Sequence, residues 1–530
     1  MQHVQGDDRN QMFMFSLESA IPPDSFVRLV DAFVDSIDLK SFGFSHVECK
    51  EEGRPAYHPS VLLKLYLYGY HYGIRTTRKL EREAQTNIEA MWLLSGQRSK
   101  YKTIADFRKL HSLAFREIFR RFVCLLKEWD LIEGSTLAID SFKIRGSNSL
   151  KKNFNETKLK QHIEYIDRQI SEYEQALEQA DTEEQKAEIN IKIGQRTEKK
   201  EQYQQIKDEL KESGEDQISL TDPDAKAVIF QRNVVEVGYN IQASSDKKHK
   251  MLVEYGTGTV NDSHVLSEIA IRSKELLSKD QITVLADKGY HTGAELEKCT
   301  QENITTYVSP KEPAARATGL YPVSSFLYNP EKDIYICPQG EEMKTNHTWY
   351  QHSSKTKNKE VAFRFKRYNT PACKTCKSRH LCTQCKTNGR NIDRSEYAEV
   401  IEANAERVTK NPEYYRLRQQ ITEHPFGTLK RQRGFTHTLV RGKEKVLGEV
   451  GLMFIGYNLT RCISILGMEN LIKALREFSD RIFYIVTGVV SAFLKHFLKK
   501  SESPFSSTSC KFCLSGKLHL HRGGLSLCLN

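Results

Sequence analysis

The strongest constraint on this chain is a change of hydrophobic period near residue 135. Upstream, Val61, Leu62, Leu65, Tyr66 and Tyr68 to Tyr70, then Leu80 and Met91 to Leu94, recur at helical spacing. Thr103 to Asp106 reads as the capped start of a helix that carries Phe107, Leu110, Leu113 and Phe119. From Ser135 to Ile144 the apolar residues Leu137, Ile139, Phe142 and Ile144 instead form a short run between turn residues, which predicts a strand containing Asp140. The chain must therefore join an all-helical N-terminal part to a domain that contains a sheet.

Residues 158–212 interrupt that sheet. Ile163, Ile166, Ile170, Tyr173 and Leu177 follow heptad steps, as do Tyr203, Ile206 and Leu210. Two helices joined by the acidic region Asp181 to Glu188 give an antiparallel hairpin as the simplest arrangement, with a dimeric coiled coil as the alternative. Strand signals return at Val234 to Val237, Tyr239 to Ala243, Met251 to Val260, Ile282 to Ala286 and Thr305 to Val308, with helices over His264 to Leu277 and Gly293 to Cys299. This order predicts an α/β fold, a mixed sheet flanked by helices. Residues 311–400 read as a polar, basic, cysteine-bearing insertion, and helical periodicity resumes from Glu396 to Lys430 and from Glu444 to Leu475. The expected division is 1–130, 131–310, 311–400, 401–475 and a tail at 476–530.

At 530 residues, 39% of them hydrophobic, the chain is long enough for three or four folding units at ~150 residues each. The near-continuous apolar stretch Ile482 to Leu494 is short of the ~20 residues a helix needs to span a bilayer. No basic segment followed by an apolar run opens the chain near Asp7 and Asp8, so no secretory leader is read there and the cytoplasm is expected. Charge is distributed unevenly. Residues 60–121 hold 13 Lys/Arg against 5 Asp/Glu, 355–390 hold 11 against 1, and 407–445 hold 10 against 3, whereas 155–216 hold 10 against 17. Separated basic blocks suit phosphate neutralisation, although a single block is commonly a solvated face. Arg75, Arg78, Lys79 and Arg82, around a break at Gly73, suit a helix-turn-helix that presents a helix to DNA. The bland alternative is a bundle that only packs on its neighbour.

Asp140 in LAIDSFKI and Asp287 in VLADKGYHT each lie in or just after an apolar run, where a carboxylate is costly unless it is paired or binds a cation. Carboxylates at strand ends can hold Mg²⁺ or Mn²⁺, or can simply cap the next turn. Together with GRPAYHPSVLLKLYLYGYHYGIRTTRKLE, VGYNIQASSD, EHPFGTLKR and GYNLTR, these blocks resemble bacterial insertion-sequence transposases of the DDE class over roughly residues 15–475. The resemblance implies an RNase H-like core and Asp140, Asp287 and Glu423 as a catalytic, metal-binding triad. It also implies Tyr415, Arg418 and Lys430 as DNA-binding companions. Four residues separate Arg418 from Glu423 where the family has three, so Arg416 competes with Arg418 for its role. In a helix Glu423 and Lys430, seven apart, lie on one face.

The activity implied is cleavage of double-stranded DNA at transposon ends and transfer to target DNA, supported by two Mg²⁺ or Mn²⁺ ions and no covalent enzyme intermediate. A homo-oligomer, taken as a dimer, and no membrane partner are expected. A catalytically silent, transposase-derived DNA-binding protein and an RNase H-like metal-dependent nuclease are the alternatives. Cys373, Cys376, Cys382 and Cys385 form paired CxxC spacings that suit zinc, against reduced thiols in a basic loop. The resemblance instead favours Cys337, Cys373, Cys376 and Cys382 as the zinc ligands. Cys510, Cys513, His519, His521 and Cys528 in the tail form a weaker candidate.

Overall fold

The computed structural model describes residues 10–12, 14, 16–48, 55–230, 234–258, 260–311, 319–353, 361–385 and 389–480. The apolar stretch from Ile482 and the tail cysteines and histidines lie outside the described residues. The chain divides into two compact units, residues 1–119 with 448–530, and residues 120–447.

The N-terminal region is all-helical: α1 (Phe26–Asp35), α2 (Pro59–His71), α3 (Thr77–Thr86), α4 (Ile88–Leu93), α5 (Tyr101–Leu110) and α6 (Ser112–Glu128). Proline at the first turn of α2, where a missing N–H costs nothing, starts that helix. Gly73, at φ 72°, turns the chain toward α3. Gly69 is required by close approach, because a Cβ there would lie 2.3 Å from Leu80 Cδ2 and 2.5 Å from the Ile74 carbonyl. The expected helix start at Thr103 to Asp106 falls inside α5, which begins at Tyr101, and the chain breaks instead at His111. The His111 ring is stacked on Phe44 at 4.9 Å and hydrogen-bonded to Ser45, so tertiary contacts set that boundary.

The second unit opens with β1 (Thr136–Arg145) and β2 (Asn153–Asn155), followed by α7 (Glu156–Glu178) and α8 (Glu183–Glu212). Stacking of His162 on Tyr203 at 5.1 Å and a Lys200–Asp167 ion pair at 2.6 Å fix the two helices as an antiparallel hairpin within one chain. The acidic linker is shorter than its sequence suggests. Thr182 caps α8, and Glu183 and Glu184 join its first turn, where the helix dipole favours negative charge.

Then come β3 (Gln217–Ser219), β4 (Lys226–Ile229), β5 (Val235–Asp246), β6 (Leu252–Thr257), α9 (Leu266–Leu276), β7 (Ile282–Ala286), α10 (Gly293–Gln301) and β8 (Ile304–Val308). The six-stranded sheet runs β4-β5-β1-β7-β8, with β6 also on β5. β5 is antiparallel to β1, β4 and β6, whereas β7 and β8 run parallel to β1 and to each other. This is a mixed sheet flanked by helices, the architecture of an RNase H-like core. The two strands read around Gly238 are one continuous strand. A Cβ at Gly238 would lie 2.1 Å from the Ile144 carbonyl, so the glycine marks close strand passage and not a break.

Residues of the basic insertion form a second sheet, antiparallel throughout: β9 (Leu327–Asn329), β10 (Ile334–Ile336), β11 (Glu342–Ser353), β12 (Val361–Asn369) and β13 (Ile392–Ser395). The helices α11 (Ala398–Lys410), α12 (Pro412–Gly427) and α13 (Lys443–Leu466) close the order, with a further helix at Met468–Asp480. Among the described residues no single helix is long and apolar enough to cross a membrane.

Candidate active site

Position 140 is where β1 gives up full burial. Leu137, Ala138 and Ile139 are wholly buried, and Asp140 and Ser141 are half-buried. In the parallel register of β1 and β7, Ile139 faces Ala286, so Asp140 and Asp287 are the next pair along adjacent strands. Neighbours in register point to the same face. On that face Ala138 and Leu285 pack against Ile421 of α12, which therefore lies over the two aspartates.

Asp140 is held from both sides. Its Oδ1 accepts the Ser141 N–H at 2.8 Å, and its Oδ2 lies 3.1 Å from Arg418 Nη1 and 3.2 Å from the Thr422 hydroxyl. Burial pushes the Asp140 carboxyl above the ordinary carboxylate range, the Ser141 N–H, Arg418 and Thr422 pull it down, and the charge of Asp287 pushes it up again. Asp287 caps the short turn Lys288–Tyr290, its Oδ1 accepting the Lys288 N–H at 2.6 Å.

The helix that covers the pair sorts the expected companions. Arg418 reaches Asp140, while Arg416 pairs with Glu413 on the exposed side at 2.7 Å, so Arg418 is the arginine that faces the aspartates. Tyr415 is half-buried. Its neighbour Tyr414, which the sequence did not single out, meets the Thr136 hydroxyl at 2.8 Å. Thr422, also missed by sequence, occupies the position next to Asp140, and Glu423 beside it is exposed.

Lys430 and Glu423 do not keep the seven-residue relation of an uninterrupted α-helix. Pro425 removes an N–H from α12, and residues Thr428–Gln432 widen into a π-helical turn, which shifts the phase. Lys430 is carried over the Phe142 ring at 5.6 Å. There burial and Lys143 lower its pKa, while Asp140 raises it. Among the described residues no group of three or more His, Cys, Asp or Glu is arranged to hold a metal ion. Two adjacent carboxylates with hard oxygens do suit a divalent cation, and Glu423 lies one residue from the contact that α12 makes with them.

Four cysteines lie around one cavity elsewhere in the second unit, and they too are not arranged as a metal site where their side chains stand. Cys337, Cys373, Cys376 and Cys382 line one cavity of about 20 Å³ with Arg379 and Arg390. Burial pushes the Cys382 thiol up; Arg390 lowers it, and the other three cysteines raise it further. Cys385 is exposed. Gly389 belongs to the same construction, since a Cβ there would lie 2.2 Å from Cys373 Cβ.

In the N-terminal unit the basic residues divide. Arg78, Lys79 and Arg82 are exposed along α3, with Arg78 over the Tyr101 ring at 5.0 Å. Arg75 departs from the group. It is 6% exposed and donates to the buried Glu449 at 3.0 Å, beside Tyr70 and Arg108, so its charge is neutralised inside the unit.

Residues 15–110 match the family described as Transposase domain (DUF772), and residues 336–463 match Transposase DDE domain. The second match includes Arg418, Glu423, Lys430 and the four converging cysteines, and it ends C-terminal to α12. No curated protein matches. Among solved structures, a chain in the cryo-EM structure of the piggyBac transposase synaptic complex with hairpin DNA is similar at 9% identity. That alignment covers 93% of this chain and 89% of the other, with a TM-score of 0.30, too low to carry weight here. The chain thus carries a DDE-type transposase segment and a distinct N-terminal transposase segment.

Proposed function

We propose that this chain is an insertion-sequence transposase that binds the ends of its element, cleaves a DNA strand there and joins the freed end to target DNA. The observation that carries the reading is that Asp140, on β1, and Asp287, directly after the parallel neighbour β7, lie under α12, the helix that bears Arg418, Thr422 and Glu423. Divalent cations held by the two aspartates, with Glu423, would activate the attacking oxygen and stabilise the leaving one. The chain's own part is positioning. Arg418 balances the charge of Asp140 until DNA and cation compete for the two partners, and a planar guanidinium suits a phosphate once released. Lys430, poised beside Asp140, adds positive charge on the same face.

DNA would be gripped by exposed Arg78, Lys79 and Arg82 on α3, without Arg75. Action as an oligomer, taken as a dimer, and in the cytoplasm belong to the same proposal. A structural zinc ion is the second part of it, supported by the convergence of Cys337, Cys373, Cys376 and Cys382 on one small cavity. The test is to incubate purified protein and Mg²⁺ with DNA carrying the repeats that flank its gene. Strand cleavage at the repeat ends is expected, and binding without cleavage would leave a silent DNA-binding protein. Cleavage only of RNA–DNA hybrids would identify a nuclease. For zinc, elemental analysis of reduced protein should find one equivalent, reduced by Cys376→Ser; none in the wild type ends that part.

A further inference from the structure

Two sequence blocks have no role in the chemistry above, VGYNIQASSD on β5 and the Gly289-Tyr290 that follows Asp287. They meet behind the aspartates. Gln242 faces Ser141 across the β5–β1 ladder, and Asn240 faces Lys143, so both amides project on the side of the sheet opposite Asp140. Asn240 Nδ2 and Gln242 Nε2 both donate to Oδ1 of Asp262, each at 2.7 Å. Because a carboxylate only accepts, Asp262 fixes the orientation of the Gln242 amide and turns its Oε1 away. That oxygen receives the hydroxyl of Tyr290. Ser141, next to Asp140, is the residue that Gln242 pairs with across the ladder.

Tyr290 is 1% exposed and closes the turn that Asp287 caps, its N–H bonding the Asp287 carbonyl at 3.0 Å. Through Gln242, one ring thus ties the turn of Asp287 to the strand position beside Asp140. Neither Gln242 (0% exposed) nor Asn240 (2%) has water to replace a missing partner, so a broken link is not repaired locally. Gly258 leaves room for the amide, since a Cβ there would lie 3.1 Å from Gln242 Nε2.

We propose that Asp262, Gln242 and Tyr290 form a positioning relay that sets the spacing of the Asp287 and Asp140 carboxylates, with Asp262 as the residue that dictates its polarity. The proposal rests on the reading of those aspartates as cation ligands. Outer partners of metal ligands typically govern affinity by ~10–100-fold.

The experiment uses the full chain and a polarity swap. Gln242→Glu keeps an acceptor for Tyr290 but sets a carboxylate against Asp262. Combined with Asp262→Asn, whose amide N–H groups can donate to the new carboxylate at 242 and, once the Asn240 amide turns over, to Asn240 Oδ1, it restores a donor and an acceptor at each junction. The single variant is expected to raise hydrogen exchange at residues 287–291 and to weaken Mn²⁺ binding, followed by electron paramagnetic resonance, by ~10–100-fold. The double variant should recover both, and strand cleavage should follow Mn²⁺ affinity. Wild-type exchange at 287–291 in the single variant, or no recovery in the double, overturns the relay. Altered and recovered exchange in a protein that neither binds Mn²⁺ nor cleaves DNA would keep the relay and reject the transposase reading instead.

Discussion

The six-stranded mixed sheet and the five-stranded sheet of the insertion belong to one unit and are held together by different means. In the first, Leu137, Ile139, Val284, Leu285 and Ile241 are buried to 1% exposure or less, so aliphatic burial supplies most of the cohesion around Asp140, at about 25 cal/mol per Å² of apolar surface. In the second the core is Phe326, Tyr335, Met343, Tyr368 and Ile392, with Cys337 and Cys382 packed at its margin. Its tyrosines bring hydroxyls inside, and those of Tyr328 and Tyr368 converge on Asp333 together with Lys366. A sheet buried on aliphatic side chains can carry a half-buried carboxylate such as Asp140 as a functional liability. A small aromatic sheet uses its carboxylate as a tie.

The largest effects are expected at the mixed-sheet aspartates. Asp140→Asn and Asp287→Asn should each lower strand cleavage by ~10³-fold or more, the scale of losing a principal electrostatic group. Stability should not fall with activity for Asp140→Asn. Since burial raises its folded-state pKa, the stability linked to Asp140 is present below its unfolded pKa and lost as pH rises through the folded value. At neutral pH the amide should therefore melt at the same temperature or higher, which a thermal scan beside the cleavage assay checks.

Asp333 should behave in the opposite sense. Burial alone would raise its pKa, but Lys366, Tyr368 and Tyr328 hold it well below the carboxylate range. Its contribution is present above the unfolded pKa and lost as pH falls through the folded value. Asp333→Asn should cost ~1.5–3 kcal/mol at pH 7, the range for hydrogen bonds to charged groups. Denaturant melts should show the gap closing below about pH 4, near the unfolded aspartate value. A gap of equal size at low pH would mean that shape and not charge is what matters there.

Gly389→Ala sharpens the contrast at the cysteines. The added methyl must displace Cys373, and overpacking of this kind costs ~1–3 kcal/mol. Thiol labelling should find Cys373 faster to react, with the mixed sheet unchanged. The smallest stability effect is expected outside both sheets. Alanine at Arg78, Lys79 and Arg82 should shift stability by within about 0.5 kcal/mol. The salt dependence of DNA binding should flatten by ~0.9 log units for each phosphate no longer neutralised, and an unchanged slope would place the DNA elsewhere.

Most of the mixed sheet was legible because its central strands carry their own apolar runs, the short edge strand β4 (Lys226–Ile229) being missed, and the hairpin because a heptad seam is a local pattern. The insertion sheet was not. Its strand β10 (Ile334–Ile336) is only three residues long, β12 (Val361–Asn369) sets Phe365 and Tyr368 among Arg364, Lys366 and Arg367, and tyrosines count as apolar only once their hydroxyls find Asp333. Within the candidate site, Asp140 and Asp287 could be read from β-runs and family-like blocks. Thr422, Tyr414 and Asp262 could not, since each matters through a partner more than a hundred residues away or on a neighbouring strand.

By itself the sequence determined what depends on local period and composition: a helical N-terminal region, a mixed sheet with helices, a helical hairpin, and two aspartates at the ends of apolar runs. Tertiary structure decided what depends on pairing. Four residues past Lys445, Glu449 receives Arg75 and Tyr70 inside the N-terminal unit, a link spanning more than 370 positions that turns a basic residue from surface candidate to core. The reason is the same for Arg418 over Asp140 and for Tyr290 on Gln242. A charge or hydroxyl states what it can bind, but burial chooses the partner, and burial is a property of the whole fold.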